Sequence, residues 1–273
     1  MAENLFYVGD AQQALARMKA ENRRVQLCAI DPPYRTGRNF GAYDDRASSD
    51  DYYAMMRQVL QGIYDVLDDA GSLFVHIDER AHARLRLMLD DIFGERNFRN
   101  EIVWAYSTGG RATSHFSRKH DIILYFVKSD AAFFDAMQDA VPRADARRNH
   151  MKRELDEQGR PCRTIRSGGR IYRYYDDELV PPSDVWDDIP HLQQRDPERN
   201  GYPTQKPLRL LERIIKCASR PGDTVLDVFA GSGTALAAAH ALGRSFIGAD
   251  SAPQSLETIQ TRLMNVDFDI VKL

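Results

Sequence analysis

Thr224-Val225-Leu226-Asp227-Val228-Phe229-Ala230-Gly231-Ser232-Gly233-Thr234 is the stretch from which the fold can be read. Apart from Asp227 its first half is apolar and rich in β-branched residues, which predicts a buried strand over 224–229. Two glycines follow, then the alanine-rich run Ala235 to Leu242, which predicts a helix. Glycines let the backbone turn tightly and approach a ligand at a helix N-terminus. The same residues also suit a plain strand-to-helix turn. What favours a ligand site is Asp250, which ends the next strand, Ser245 to Ala249, 17 residues after Gly233. An acid there can accept two ribose hydroxyls. Leu236 stands where a dinucleotide pattern has its third glycine, which argues against a nicotinamide cofactor.

Outward from this unit the chain keeps alternating strand and helix. Leu5 to Val8, Val25 to Ile30, Leu73 to Ile77, Glu101 to Tyr106 and Asp121 to Val127 read as strands. A helix capped by Ser49 or Asp50 carries Tyr52, Met56, Val59, Leu60, Ile63 and Leu67 on one face. Others follow over 85–93 and 208–218, and a first one runs to Met18. The pattern predicts an α/β fold with a mostly parallel sheet covered on both faces. Ligands bind such sheets at the carboxyl ends of the strands, where Asp10, Asp31, Asp78, Asp227 and Asp250 fall. From 130 to 200 the periodicity fails and basic, Gly and Pro residues accumulate, so 1–129 with 201–273 forms one domain and 130–200 an insertion.

The chain is 273 residues long with a net charge of −3, which as a whole does not advertise a polyanion partner. Locally, residues 143–173 hold ten Lys/Arg against four acids, a balance of +6 suited either to phosphate or to a solvated insertion. Cys28, Cys162 and Cys217 show no metal-ligand spacing, and no apolar run is long enough for a membrane span. We expect a cytoplasmic chain without a metal.

Asp31-Pro32-Pro33-Tyr34 carries the chemistry. The amine of a nucleic-acid base is a poor nucleophile because its lone pair is delocalised into the ring. A carboxylate and a backbone carbonyl, each accepting one N–H, can draw that nitrogen toward tetrahedral geometry. Two prolines stiffen the carbonyl, and an aromatic ring stacks on the base. A base inside a duplex must be flipped out to reach such a pocket.

With the glycine turn, this tetrapeptide resembles that of the β class of amino DNA methyltransferases, in which the catalytic segment precedes the cofactor loop. The likeness extends over Val8-Gly9-Asp10, Gly71 to Asp78, Asp91 to Gly94, Val103-Trp104, His120 to Ile123, Asp184 to Trp186 and Glu198 to Pro207. It implies a Rossmann-like methyltransferase fold with a seven-stranded, circularly permuted, mostly parallel sheet and an inserted target-recognition region at 130–200. The cofactor it implies is S-adenosyl-L-methionine, bound by Asp10, Thr204, Lys206, Asp227, Phe229, Gly231, Ser232, Gly233, Thr234 and Asp250. Among these, Asp10 faces the adenine, and Thr204 and Lys206 grip the methionine end, where Lys206 can pair with the carboxylate. The resemblance makes Asp31, Pro32, Pro33 and Tyr34 the catalytic residues, with no metal expected. Val228 replaces the family's usual Pro, and Arg35 its frequent Asn.

The partner implied is double-stranded DNA, with a second copy of the chain and a cognate restriction endonuclease as further candidates. Arg35, Arg111, Lys119, Arg163, Arg166, Arg170 and Arg173 are the candidate DNA contacts. Asp31, where cytosine-N4 enzymes frequently have Ser, favours adenine N6 as the target. Cytosine N4 is the neighbouring reading, and a non-catalytic nucleic-acid-binding subunit a third. His76 is expected to be a hydrogen-bonded residue at a strand end, Asp78 to help the cofactor pocket, and the Asp176–Glu178 and Asp187–Asp188 clusters to be solvated acids.

Overall fold

A computed structural model describes residues 4–34, 48–107, 112–143, 151–175 and 177–273. In chain order the elements begin with β1 (Leu5–Val8), α1 (Ala11–Ala20), β2 (Val25–Ile30), α2 (Ser49–Val66) and β3 (Leu67–Ile77). Next come α3 (His82–Phe93), β4 (Phe98–Ala105), β5 (His120–Val127), β6 (Val141–Pro142) and β7 (Lys152–Leu155). β8 (Pro161–Ser167), β9 (Arg170–Tyr174), β10 (Leu179–Val180) and β11 (Val185–Trp186) follow. The chain closes with α4 (Leu208–Ala218), β12 (Thr224–Asp227), α5 (Thr234–Ala241), β13 (Ser245–Asp250), α6 (Pro253–Arg262) and β14 (Asp269–Lys272).

Two compact units result: Met1–Phe134 with Asp184–Leu273, and Asp135–Ser183. The larger holds a nine-stranded sheet in the order β11-β4-β5-β3-β2-β12-β13-β1-β14. The seven strands the resemblance implies, β4 to β1 in that order, form its contiguous centre, and the short β11 and β14 flank them. Only β5 runs antiparallel to its neighbours, β3 and β4. Residues 130–134 and 184–200, assigned to the insertion by composition, pack instead with the larger unit. The Val103 N–H donates to the Asp184 carbonyl (2.8 Å) and the Trp104 indole N–H to the Ile189 carbonyl (2.8 Å).

Side chains alternate across the strands with period two, so each strand feeds two cores. Leu5, Cys28, Ile30, Leu73, Val75, Leu124, Phe126 and Leu226 point to the face covered by α1, α2 and α3. Phe6, Leu27, Ala29, Phe74, Ile123, Val225 and Phe246 point to the face covered by α4, α5 and α6. The cap of α2 is Ser48, one residue earlier than expected, because its hydroxyl reaches the Asp51 N–H at 3.2 Å while Asp50 and Asp51 sit favourably in the first turn.

Chain direction decides where a site can form. From β2 the chain moves to β3 on one side; from β12 it moves to β13 on the other. The crevice between the carboxyl ends of β2 and β12 is therefore the switch point of the sheet, and Asp31 and Asp227 stand at its two lips.

The smaller unit contains an antiparallel sheet in the order β7-β8-β9 and the pair β6-β10. β8 and β9 form a hairpin whose turn residues, Gly168 and Gly169, have φ of 58° and 77°. Two successive positive φ values match the twist of the flanking strands, and only glycine adopts them freely.

Candidate active site

A cavity of about 330 Å³ opens at this switch point, within the range of small-molecule sites. It is lined by Asp10 after β1, by Asp31, Pro32, Pro33 and Tyr34 after β2, and by Asp227, Phe229, Gly231, Ser232 and Thr234 around the β12–α5 turn. Asp250 at the end of β13, and Thr204 and Lys206 before α4, complete the wall. Thus Asp31 to Tyr34, expected to be catalytic, and nearly every expected cofactor residue meet in one cavity. Gly233 is the exception: its φ of 71° caps α5, and a Cβ there would come within 2.6 Å of Ile259. It shapes the turn rather than the wall.

Hydrogen bonds fix the glycine turn from three sides. Asp250 accepts the Gly231 N–H (2.8 Å) through one oxygen and the Ala252 N–H (2.8 Å) through the other. The Ser255 hydroxyl donates to the Gly231 carbonyl at 2.7 Å, and Arg262 donates to the Thr234 hydroxyl (2.6 Å) and the Ser232 carbonyl (3.0 Å). On the third side lies the segment 198–207. Asn200 donates to the Ser232 carbonyl (3.4 Å), and a Cβ on Gly231, where φ is 48°, would sit 3.2 Å from the Tyr202 ring. Asp10 both lines the cavity and caps α1, accepting the Gln13 N–H at 2.8 Å.

Burial governs the acids. It pushes the Asp227 carboxyl up to about 8, with the Asp31 and Asp250 charges adding to it, although the Phe229 N–H donates to that carboxyl at 3.0 Å. Asp227 is therefore mostly a neutral acid at pH 7. Asp250 is raised by the same burial, opposed by its backbone N–H donors.

Asp31 is engaged on both oxygens. The Tyr34 hydroxyl donates to Oδ1, and the Lys206 ammonium lies 2.5 Å from Oδ2 and 4.9 Å from the Tyr34 ring centroid. Lys206, expected at the methionine end of a cofactor, here bridges to the Asp31 carboxylate. Burial, then the Asp31 and Asp121 charges, raise the Tyr34 phenol well above its ordinary range, so it stays a donor.

Beyond Tyr34 lies a polar group that sequence reading underweighted. His76, 6.0 Å from the Tyr34 ring between centroids, lines the cavity and hydrogen-bonds Asp121 at 3.0 Å. Tyr106 donates to the other Asp121 oxygen at 3.0 Å. Burial works to raise Asp121, but the His76 bond and charge, Lys206 and Tyr106 outweigh it and hold the carboxyl at about 2. His76 is the hydrogen-bonded strand-end residue expected. Asp78 does not line the cavity; it binds the Arg80 backbone N–H (2.9 Å) and guanidinium (2.7 Å).

Among the other candidates, the described acids of the two clusters keep their solvent exposure and one arginine loses it. Asp188 keeps the solvent exposure expected of it, yet both its oxygens also hold Arg213, at 2.9 and 2.5 Å, and the Arg213 side chain is 1% exposed. Asp177 and Glu178 pair with Arg160 (2.7 Å) and Arg143 (2.9 Å), and no cluster able to hold a metal occurs among the described residues. Arg163 is buried, whereas Arg166, Arg170 and Arg173 are exposed on the β8–β9 hairpin, Arg173 lying 3.6 Å from Glu157. A buried guanidinium cannot meet a phosphate without leaving its place, so Arg163 drops from the candidate contacts. Lys119 is half-buried and donates to the Ser107 carbonyl at 3.4 Å; Arg35 and Arg111 lie outside the described residues.

The profile of a DNA methylase family, covering N6 and N4 amino methylation, matches residues 25–261. The chain belongs to this N6/N4 DNA methylase family. Among its relatives, the DNA adenine methyltransferase YhdJ of Escherichia coli (strain K12) is 33% identical over 88% of this chain and 76% of its own. The type II methyltransferase M.HpaI of Haemophilus parainfluenzae is 30% identical over 89% and 69%. Solved structures share the fold. The M1.HpyAVI–SAM complex superposes with a TM-score of 0.61 at 20% identity, covering 95% of this chain and 98% of that one. The cytosine-N4-specific PvuII DNA methyltransferase gives 0.66 at 15% identity, covering 98% and 89%. No helix among the described residues of this methylase is long and apolar enough to cross a membrane.

Proposed function

We propose that this DNA methylase transfers the methyl group of S-adenosylmethionine to the N6 amine of a flipped-out adenine in double-stranded DNA. The observation that carries the reading is the convergence of Asp31-Pro32-Pro33-Tyr34 and the Gly231–Thr234 turn on one cavity. The cavity suits the cofactor on its own geometry. Gly231 leaves room for close approach beside Tyr202, the turn opens α5, and Asp250 ends the adjacent strand at the cavity wall. Asp10, Phe229 and Asp250 would hold the adenosine half, and Thr204 and Lys206 the methionine half.

S-adenosylmethionine, when bound, supplies an electrophilic methyl on a sulfonium. The chain supplies orientation and charge. Asp31 and a backbone carbonyl of the Pro32-Pro33 pair each accept one N–H of the target amine, drawing its lone pair out of the ring. The Tyr34 ring, held through its hydroxyl by Asp31, offers a stacking face. Fixing the amine in a dry cavity removes the orientational part of the barrier. Adenine is favoured by an acid, Asp31, at the head of the tetrapeptide and by the likeness to a DNA adenine methyltransferase. We assign reading of the DNA sequence to the smaller unit, Asp135–Ser183, whose exposed Arg166, Arg170 and Arg173 sit on the β8–β9 hairpin.

Incubation with methyl-labelled S-adenosylmethionine and unmethylated duplex DNA, followed by digestion to nucleosides, tests the assignment. Label in N6-methyladenine is expected. Label in N4-methylcytosine would overturn the base and keep the chemistry; label in neither would overturn both.

A further inference from the structure

The residue that resemblance places on the cofactor is, in this structure, the ion-pair partner of the residue that must receive the base. Lys206 Nζ lies 2.5 Å from Asp31 Oδ2, and the two side chains are 12% and 26% exposed, so the pair is sheltered from the solvent screening that weakens surface pairs. The other Asp31 oxygen accepts the Tyr34 hydroxyl. An amine arriving at Asp31 therefore meets a carboxylate already neutralised by an ammonium and donated to by a phenol.

Lys206 is also tied to the cofactor loop. Its carbonyl accepts the Thr234 hydroxyl at 3.4 Å, and Thr234 in turn is held by Arg262. Both Lys206 and Thr204 line the cavity with the glycine turn. The ammonium that holds Asp31 is thus the same one that the resemblance assigns to the carboxylate of the ligand's amino-acid end. Lysine suits such a role because it is a point charge on a four-carbon stem, which a planar guanidinium is not.

Building on the function proposed above, we propose that Lys206 is a positioning residue that couples the two half-sites. Without cofactor it covers Asp31; the cofactor carboxylate draws it away and exposes Asp31 to the base amine. The site then becomes competent for the base only after the cofactor has bound. The coupling is reciprocal: whatever weakens the hold of Asp31 on Lys206 strengthens the hold of Lys206 on the cofactor.

The test is calorimetric and needs no turnover. S-adenosylhomocysteine, which keeps the carboxylate and lacks the sulfonium charge, and 5′-methylthioadenosine, which lacks the amino-acid end, are titrated into the wild type, Asp31→Asn, Lys206→Met and the double variant. Asp31→Asn should bind S-adenosylhomocysteine about three- to tenfold more tightly than the wild type, a gain within the usual span of site-to-site coupling. Binding of 5′-methylthioadenosine should not change, which also shows that the variant keeps a folded adenosine pocket. In the Lys206→Met background the Asp31→Asn gain should vanish. An unchanged affinity in Asp31→Asn would overturn the coupling. So would an equal gain with 5′-methylthioadenosine, which has no carboxylate for Lys206 to hold, or a gain that persists without Lys206, which simple repulsion between the two carboxylates would explain. If the wild type binds neither ligand, the cofactor assignment itself falls and the coupling with it.

Discussion

Asp227 shows how one buried residue sets a measurable property. Its carboxyl, raised by burial to about 8, binds a proton in the folded chain that the unfolded chain releases near pH 4. Between these values the folded state holds more protons, so stability falls as pH rises from about 4 to about 8. Asp227→Asn keeps the shape and removes the ionisation. Thermal melts should show the variant more stable than the wild type at pH 8.5, with the difference shrinking toward pH 5. A constant difference across that range would contradict the buried-acid reading. Asp227 was legible as a strand-end acid, but its protonation was not, because that depends on Asp31 and Asp250 reaching the same crevice from other strands.

At the scale of elements, what could be read depended on how local the signal was. Helix α4 spans Leu208–Ala218 as its periodicity predicts, because Leu210, Ile214 and Ile215 fall on one face. α6 and β14 escaped: α6 buries only Ser255 and Ile259, and β14 is a four-residue edge strand with mostly exposed side chains. The lock between α4 and the chain before it was equally invisible. Asp188 and Arg213 are 25 residues apart and carry no shared motif, yet they form a two-pronged pair beneath the Trp186 ring, 5.1 Å from the guanidinium. Asp188→Ala removes two charge-assisted bonds from a buried guanidinium. Because Asp188 itself is 45% exposed, we expect a loss of about 1–3 kcal/mol, less than for a fully buried pair, measurable by urea denaturation. A change under 0.5 kcal/mol would mean the pair is ornamental.

In the smaller unit, Arg163, Arg166, Arg170 and Arg173 could be named from sequence, but not that one of them is buried. Pairing in β8–β9 buries Arg163 and exposes Arg166 and Arg170 beside the turn. The Arg166→Glu/Arg170→Glu double variant should weaken duplex binding. It should also make the dependence of log affinity on log salt shallower by about 1–2, roughly one per lost phosphate contact. An unchanged slope in fluorescence anisotropy titrations would place the DNA-facing charges elsewhere.

For the whole molecule, the two decisive motifs lie about two hundred residues apart in sequence and meet because the sheet reverses its winding between β2 and β12. Each motif was readable alone, since a Pro-Pro turn and a glycine turn impose their own geometry on a few consecutive residues. Their meeting followed from the alternation of strands and helices. The contacts that tune them did not: Lys206 on Asp31, His76 on Asp121 and Arg262 on Thr234 join residues 175, 45 and 28 positions apart, and nothing local marks such pairs. The account rests on Asp31 acting on the base while the glycine turn holds the cofactor. The most direct test measures methyl transfer to duplex DNA and S-adenosylhomocysteine binding side by side in the wild type and in Asp31→Ala. Transfer should fall at least a thousandfold, a loss of about 4 kcal/mol in transition-state stabilisation, while ligand affinity stays at or above the wild-type value. Transfer near the wild-type rate would contradict the account, as would loss of ligand binding in step with activity.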